Sequence, residues 1–390
     1  MNFHVNKNLR LKSKLPNTGT TIFSVMSALA LKHNAVNLSQ GFPDFPVDPL
    51  LSELVYKASK GGHNQYAPMP GLKSLRDGIS NIISEIYGVQ KDPDKEITVT
   101  SGATEALFAA ISVVVNPGDE VIMFDPSYDS YEPAVILNGG IPVRIPLTFP
   151  SYNLDKEKII SSVNKNTKLI ILNSPNNPTG TVISKEDFDF IKEVVLKNDL
   201  YLLSDEVYEH IIFDGLKHYS VLLDEELFQR SFVVSSFGKT FHITGWKVGY
   251  CTAPEELTDE FRKIHQFLTF STSTPFQFAL AEYIKDIGKI TALKNFYQSK
   301  RDYFRGLLER NGLKPFLCSG TYFQLLDYSS LSDEHDLDFA TRLTKDFGIA
   351  SIPISVFYKD KTDNKVLRFC FAKENETLDK AVGNLKKLLK

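Results

Sequence analysis

Six short apolar runs, at 96–100, 121–124, 141–145, 168–172, 200–204 and 232–235, alternate with helical patterns such as 105–114 and 185–197. Several of the runs are apolar throughout, as parallel strands are when helices cover both faces. Strand–helix alternation over about 150 residues predicts an α/β, doubly wound, mostly parallel sheet. Five of the runs are followed at once by a polar cluster: Ser101-Gly102-Ala103-Thr104, Asp125-Pro126-Ser127-Tyr128, the stretch from Asn173 to Gly180, Asp205-Glu206-Val207-Tyr208, and Ser236 with Lys239. Ligands of such sheets bind beyond the carboxyl ends of the strands. The five clusters therefore predict one shared site.

The chain ends, 1–46 and 283–390, lack this alternation and are expected to form a smaller α+β unit beside a large unit at 47–282. Strands are expected at 320–326 and 365–371, and one long helix from 275 to about 311. Ile22, Met26, Leu29 and Leu31 suit one face of an amphipathic helix. A hydrophobic share of 42% against 23% charged residues gives an ordinary soluble chain with ample core. The net charge of -3 offers no bulk attraction for nucleic acid or an anionic membrane, and no apolar stretch reaches bilayer length. Cys251, Cys318 and Cys370 are widely spaced and odd in number, so they read as buried thiols of a cytoplasmic protein, with neither a disulfide frame nor a metal site. The apolar run at 21–31 stands behind a polar arm, which argues against a secretory signal.

Lys239 follows an apolar strand in a small-residue turn. Burial and neighbouring cations lower a lysine's pKa there, and Schiff-base chemistry with pyridoxal phosphate is the commonest use of an amine so placed. Gly102, Ala103 and Thr104 open a helix whose free N–H groups favour a phosphate, though Ser-Gly before a helix is also an ordinary cap. Asp205 ends an apolar strand and wants a cation, such as a protonated pyridine nitrogen; capping a following helix is the competing role. Tyr208, one helical turn on, and Asn177 could donate to a ring oxygen, and Tyr128 could stack on the ring or simply fill core. Lys247 could neutralise phosphate or be an exposed lysine. Arg368, flanked by apolar residues, wants a bidentate anion, either a ligand carboxylate or a buried structural acid.

Together these residues resemble a class I pyridoxal-phosphate aminotransferase of fold type I, over nearly the whole chain. The pieces that carry the resemblance are 37–44 (Asn-Leu-Ser-Gln-Gly-Phe-Pro-Asp), Asn64-Gln65-Tyr66, Asn176-Asn177-Pro178-Thr179-Gly180, Asp205 to Tyr208, the run 236–250, and Arg368. The chain is most similar to the methionine aminotransferases and the neighbouring kynurenine aminotransferase and cysteine-conjugate β-lyase group. The resemblance implies a seven-stranded sheet, with Lys239 bearing the cofactor and Asp205 on its pyridine nitrogen. Asn177 and Tyr208 would meet the ring oxygen, with Tyr128 stacked on the ring. Gly102, Ala103, Thr104, Ser236 and Lys247 would hold the phosphate. Tyr66 would reach the phosphate of the other subunit of a homodimer. Arg368, Asn177 and the backbone of Gly41 would bind the substrate α-carboxylate.

Two departures bear on specificity. Lys247 stands where aspartate aminotransferases carry arginine, and 268–276 offers no arginine for a second substrate carboxylate. An apolar, sulfur-containing or aromatic donor is therefore expected, methionine foremost, in a ping-pong transamination. The alternative is a cysteine-conjugate β-lyase or kynurenine–oxoglutarate aminotransferase as the main activity. A regulator joined to a DNA-binding module is disfavoured, because the strand–helix block begins too early to leave room for one.

Overall fold

The computed structural model describes residues 12–389 of the chain, so the first part of the polar arm lies outside the described residues. The strands, in order, are β1 (Val36–Asn37), β2 (Ile97–Thr100), β3 (Glu120–Asp125), β4 (Ile141–Pro146), β5 (Thr167–Asn173), β6 (Tyr201–Asp205), β7 (Ser231–Ser236) and β8 (Gly249–Thr252). β2 to β8 form one seven-stranded sheet in the order β2-β8-β7-β6-β5-β3-β4. β8 runs antiparallel to both its neighbours, and the other pairings are parallel. The expected α/β sheet is what the chain forms.

Alternate residues of the central strands feed two different cores. Val121, Met123, Leu169, Ile171, Leu203 and Val234 pack with the helix Ala103–Val114 on one face. Ile122, Ile170, Leu202 and Val233 join the core on the other. This two-sided burial explains why the runs are apolar without alternation, each such side chain contributing about 1.5–3 kcal/mol. Ala106, Ala109 and Ala110 are fully buried and bring that helix close to the sheet.

The remaining strands are β9 (Lys314–Pro315), β10 (Phe323–Asp327), β11 (Ile349–Ala350), β12 (Ile352–Pro353) and β13 (Val366–Cys370). They build an antiparallel sheet of order β12-β13-β10-β9, while β11 pairs in parallel with β1 near the other end of the chain. Among the described residues no helix is long and apolar enough to cross a membrane. All three cysteines are free and buried, as expected.

Three expectations need correction. The long helix at 275–311 is broken into Thr274–Tyr283, Gly288–Thr291 and Leu293–Arg310, because Asp286 accepts the Gly288 N–H at 3.0 Å and ends the first run. Leu31 points to solvent, 82% exposed, while Met26 faces the core from the helix Ile22–Lys32. No helix follows Asp205. The chain makes a turn there, closed by Glu209 N–H to Glu206 O at 2.8 Å and Ile211 N–H to Tyr208 O at 2.8 Å.

Candidate active site

Asn173, Asp205 and Ser236 end β5, β6 and β7, and the register aligns Asn173 with Asp205 and Asp205 with Val234. Asn173 and Asp205 thus stand side by side on the carboxyl edge, and Ser236 lies two residues beyond the partner of Asp205. The first turn of the Ala103–Val114 helix meets them from β2. Its N-cap, Gly102, has φ +77° and no side-chain cap, so the first N–H groups are left for a ligand. A Cβ on Gly249 would lie 2.9 Å from Ala103 N, so β8 can pass this helix end only with glycine there.

A cavity of about 220 Å³ sits between these elements. It is lined by Gly102, Ala103, Thr104, Tyr128, Asn177, Asp205, Tyr208, Ser236, Lys239 and Lys247, every residue that the sequence assigned to the cofactor within one subunit. A contiguous cavity of about 270 Å³ shares Tyr128, Asn177, Tyr208 and Lys239 and adds Gly41, Arg368, Phe23, Phe42 and Phe323. Tyr66 lines neither. It is 83% exposed, its ring set edge-on to Phe270 at 5.4 Å.

Lys239 lies in the single turn Phe237–Thr240 directly after β7, with its amine 5.6 Å from the Tyr208 ring and 5.7 Å from the Tyr322 ring. Burial, with repulsion from Arg368 and Lys247, lowers its pKa to about 8. Asp205 is buried, and burial raises its carboxyl to about 6. Two donors work against that rise: Tyr131 Oη–H at 2.6 Å and the Val207 N–H at 3.3 Å. Burial raises Tyr128 to about 12 and Tyr208 further still.

Arg368 is 1% exposed, and burial lowers it to about 10. Its Nη1 donates to Asn177 Oδ1 at 2.6 Å and its Nη2 to Ser39 O at 3.0 Å, while Nε has no partner. Among the described residues no carboxylate pairs with it. The competing role of a structural ion pair is thereby removed, and Arg368, a lining residue of the cavity, keeps one donor unspent.

The sequence assigned no role to Tyr131 or Tyr322, and it placed Asn173 at the head of a polar cluster without giving it one. Asn173 Nδ2 donates to Asp205 O at 2.9 Å and its Oδ1 accepts the Asn177 N–H at 2.8 Å, splicing two site loops together. Tyr322 Oη–H donates to Gly41 O at 2.7 Å. Beneath the site, buried Glu209 accepts from Ser235 Oγ at 2.6 Å and from Tyr87, and Glu206 pairs with His218 at 2.7 Å. These contacts fix the turn that carries Tyr208.

The donor set fits pyridoxal phosphate. One amine near neutrality, one buried acid in want of a cation, and an uncapped helix end beside the free amine of Lys247 match its aldehyde, ring nitrogen and phosphate in turn. Fold and site together define an aminotransferase. The family model for class I and II aminotransferases matches residues 33–385, and the chain belongs to that family, whose members use pyridoxal phosphate.

Among its relatives, the chain is 48% identical to a methionine aminotransferase of Escherichia coli, over 97% of this chain and 98% of that one. A solved structure of an E. coli protein identified as having methionine aminotransferase function superposes with a TM-score of 0.95, again at 48% identity, covering 97% and 100% of the two chains. A kynurenine–oxoglutarate transaminase of Dictyostelium discoideum is 38% identical, with 95% of each chain covered.

Proposed function

We propose that this protein transfers the amino group of an apolar, sulfur-containing L-amino acid, methionine foremost, to a 2-oxo acid. It would do so with pyridoxal phosphate carried on Lys239. The observation that carries the reading is a buried guanidinium, Arg368, and a partly buried amine, Lys239, that line one cavity and have no carboxylate partner among the described residues. A substrate α-carboxylate answers Arg368, and a carbonyl answers Lys239.

When bound, the cofactor supplies an aldehyde for the amine and an electron sink for the carbon that loses its proton. The chain does the rest. Arg368, with Asn177 on its Nη1 and Gly41 beside it, fixes the carboxylate and so orients the Cα–H bond. Lys239, its pKa lowered to about 8, removes that proton as a base and later returns it as an acid. Asp205, held by Tyr131, would keep a proton on the ring nitrogen. Tyr208 and Asn177 would donate to the ring oxygen, and Tyr128 would cover the ring. Gly102, Ala103, Thr104, Ser236 and Lys247 would hold the phosphate, and Tyr66 would serve the phosphate of a second subunit in a homodimer. The small unit that the described parts of the two chain ends build, 12–46 and 283–389, would close over the substrate.

Phe23, Phe42, Tyr128 and Phe323 wall the substrate cavity, and Arg368 is the one arginine lining it among the described residues. That wall suits a thioether or aromatic side chain and leaves a second carboxylate unanswered. The relative named as a methionine aminotransferase, and the solved structure with that function, support the same donor. The test is the visible band of the purified holoenzyme, followed after adding methionine, phenylalanine, kynurenine or aspartate separately. Methionine should bleach it fastest and aspartate slowest. Faster bleaching by aspartate, or release of thiol and pyruvate from a cysteine conjugate outpacing oxo-acid formation from methionine, would overturn the proposal.

A further inference from the structure

Arg144 lies on β4, outside both site cavities, yet it is nearly buried and every part of its guanidinium is engaged. Nε donates to Asp125 Oδ1 at 2.7 Å, Nη1 to Glu132 Oε2 at 2.8 Å, and Nη2 to the carbonyl of Phe357 at 2.6 Å. The Phe357 carbonyl takes a second donor, the Ser127 N–H at 3.0 Å. The other oxygen of Asp125 accepts the Lys359 N–H at 2.8 Å. The end of β3 and the middle of β4 thus grip two consecutive peptide units of the loop at 357–359, through the Phe357 carbonyl and the Lys359 N–H.

What that grip holds is a ring that backs Arg368 and Phe23 from outside the substrate cavity. The Phe357 ring lies 5.8 Å from the ring of Phe23, and the Arg368 guanidinium stands 5.2 Å from Phe23, 5.8 Å from Phe357 and 3.9 Å from Phe323. Three aromatic rings from three separate elements therefore box in the carboxylate anchor. One of them is pinned by main-chain bonds to the strand end that also leads into Tyr128. A guanidinium is the side chain suited to this task, because a rigid fork can serve two carboxylates and a carbonyl at once.

We infer that Arg144 is a positioning residue for substrate binding. Through Asp125 and the Phe357 carbonyl it sets the aromatic box that aims Arg368 at the α-carboxylate. The inference rests on the proposed role of Arg368. It assigns to Arg144 no contact with substrate, cofactor or a reacting atom.

The experiment uses holoenzyme and two readouts: steady-state kinetics with methionine, and calorimetric binding of hydrocinnamate, a carboxylic acid with no amine to react. In Arg144→Gln the Kd for hydrocinnamate and the KM for methionine should both rise about tenfold to a hundredfold, the scale of a remote misplacement, while kcat changes much less. Arg144→Lys should recover part of the loss. Arg144→Gln leaves Asp125 buried without its cation and can fail to fold. The paired variant Asp125→Asn with Arg144→Gln, and Phe357→Ala in the unaltered grip, then carry the test and should show the same weakened binding. Unchanged Kd and KM in any folded Arg144→Gln protein or in the paired variant would overturn the inference, as would an equal fall of kcat without a rise in KM. Arg368→Gln is the control. If it too binds hydrocinnamate normally, the site reading itself fails and the inference falls with it.

Discussion

The hydroxyl of Tyr131 donates to Asp205 Oδ2 at 2.6 Å, deep beneath the cavity floor. Tyr131 is itself buried, and its ring stands edge-on to Tyr128 at 5.6 Å, so one side chain braces both the acid and the aromatic cover of the site. Tyr131→Phe removes the only side-chain donor to Asp205 among the described residues while leaving the packing. The expected result is retention of bound cofactor with kcat reduced about tenfold, the cost of losing one hydrogen bond to a buried charge. Stopped-flow half-reactions with methionine check it, and an unchanged rate would show that Asp205 needs no such support.

Arg368→Lys keeps the positive charge and loses the fork. The variant should raise the KM for methionine and lower kcat/KM by about a hundredfold or more, because a point charge cannot match a carboxylate bidentately. The visible spectrum of the resting enzyme should be unaltered. Parent-like kinetics would mean that the carboxylate binds elsewhere.

Asp205 makes stability depend on pH in the cofactor-free protein. Its folded pKa of about 6 lies above the ordinary 3.8, so the folded state holds this proton more tightly than the unfolded chain does. That contribution is complete below the ordinary value and is lost as pH rises through about 6. Cofactor-free Asp205→Asn should therefore gain on the parent between about pH 4.5 and about pH 8, by roughly 1–3 kcal/mol. Urea unfolding of both proteins at the two pH values gives the difference, and an equal gap at both would contradict it.

Lys239, lowered to about 8, should capture pyridoxal phosphate at a rate that climbs with pH and levels off above about 8, well short of the ordinary lysine value of 10.5. Lys247→Gln removes one neighbouring cation and should move the midpoint upward. A profile still rising steeply beyond about pH 9 in the parent would mean an ordinary exposed amine.

The sheet and the site were legible in the sequence to very different depths. Strands such as β5 and β6 stand out because residues like Ile170 and Ile171 are buried on opposite faces, leaving no polar alternation to blur the run. β8 gives no such signal. Gly249, Tyr250, Cys251 and Thr252 carry no aliphatic side chain, and the strand is recognised only by its place in the sheet. Most residues proposed to hold the cofactor stood out by lying at or just past a strand end. Tyr131, Asn173 and Tyr322 act through other residues, Tyr131 across 74 positions to Asp205 and Tyr322 across 281 to Gly41, and no local pattern encodes such a pairing. The three-residue spacing of Asp205 and Tyr208 suits a helix, yet the stretch closes as turns, with Glu206 and Glu209 held by Ser204 and Ser235.

The central claim is that one particular amine carries the cofactor, and it can be read directly. The purified holoenzyme is treated with borohydride, digested and mapped by mass spectrometry. The account predicts a phosphopyridoxyl group on Lys239 alone. Its appearance on Lys247 or another lysine, with Lys239 unmodified, would contradict it.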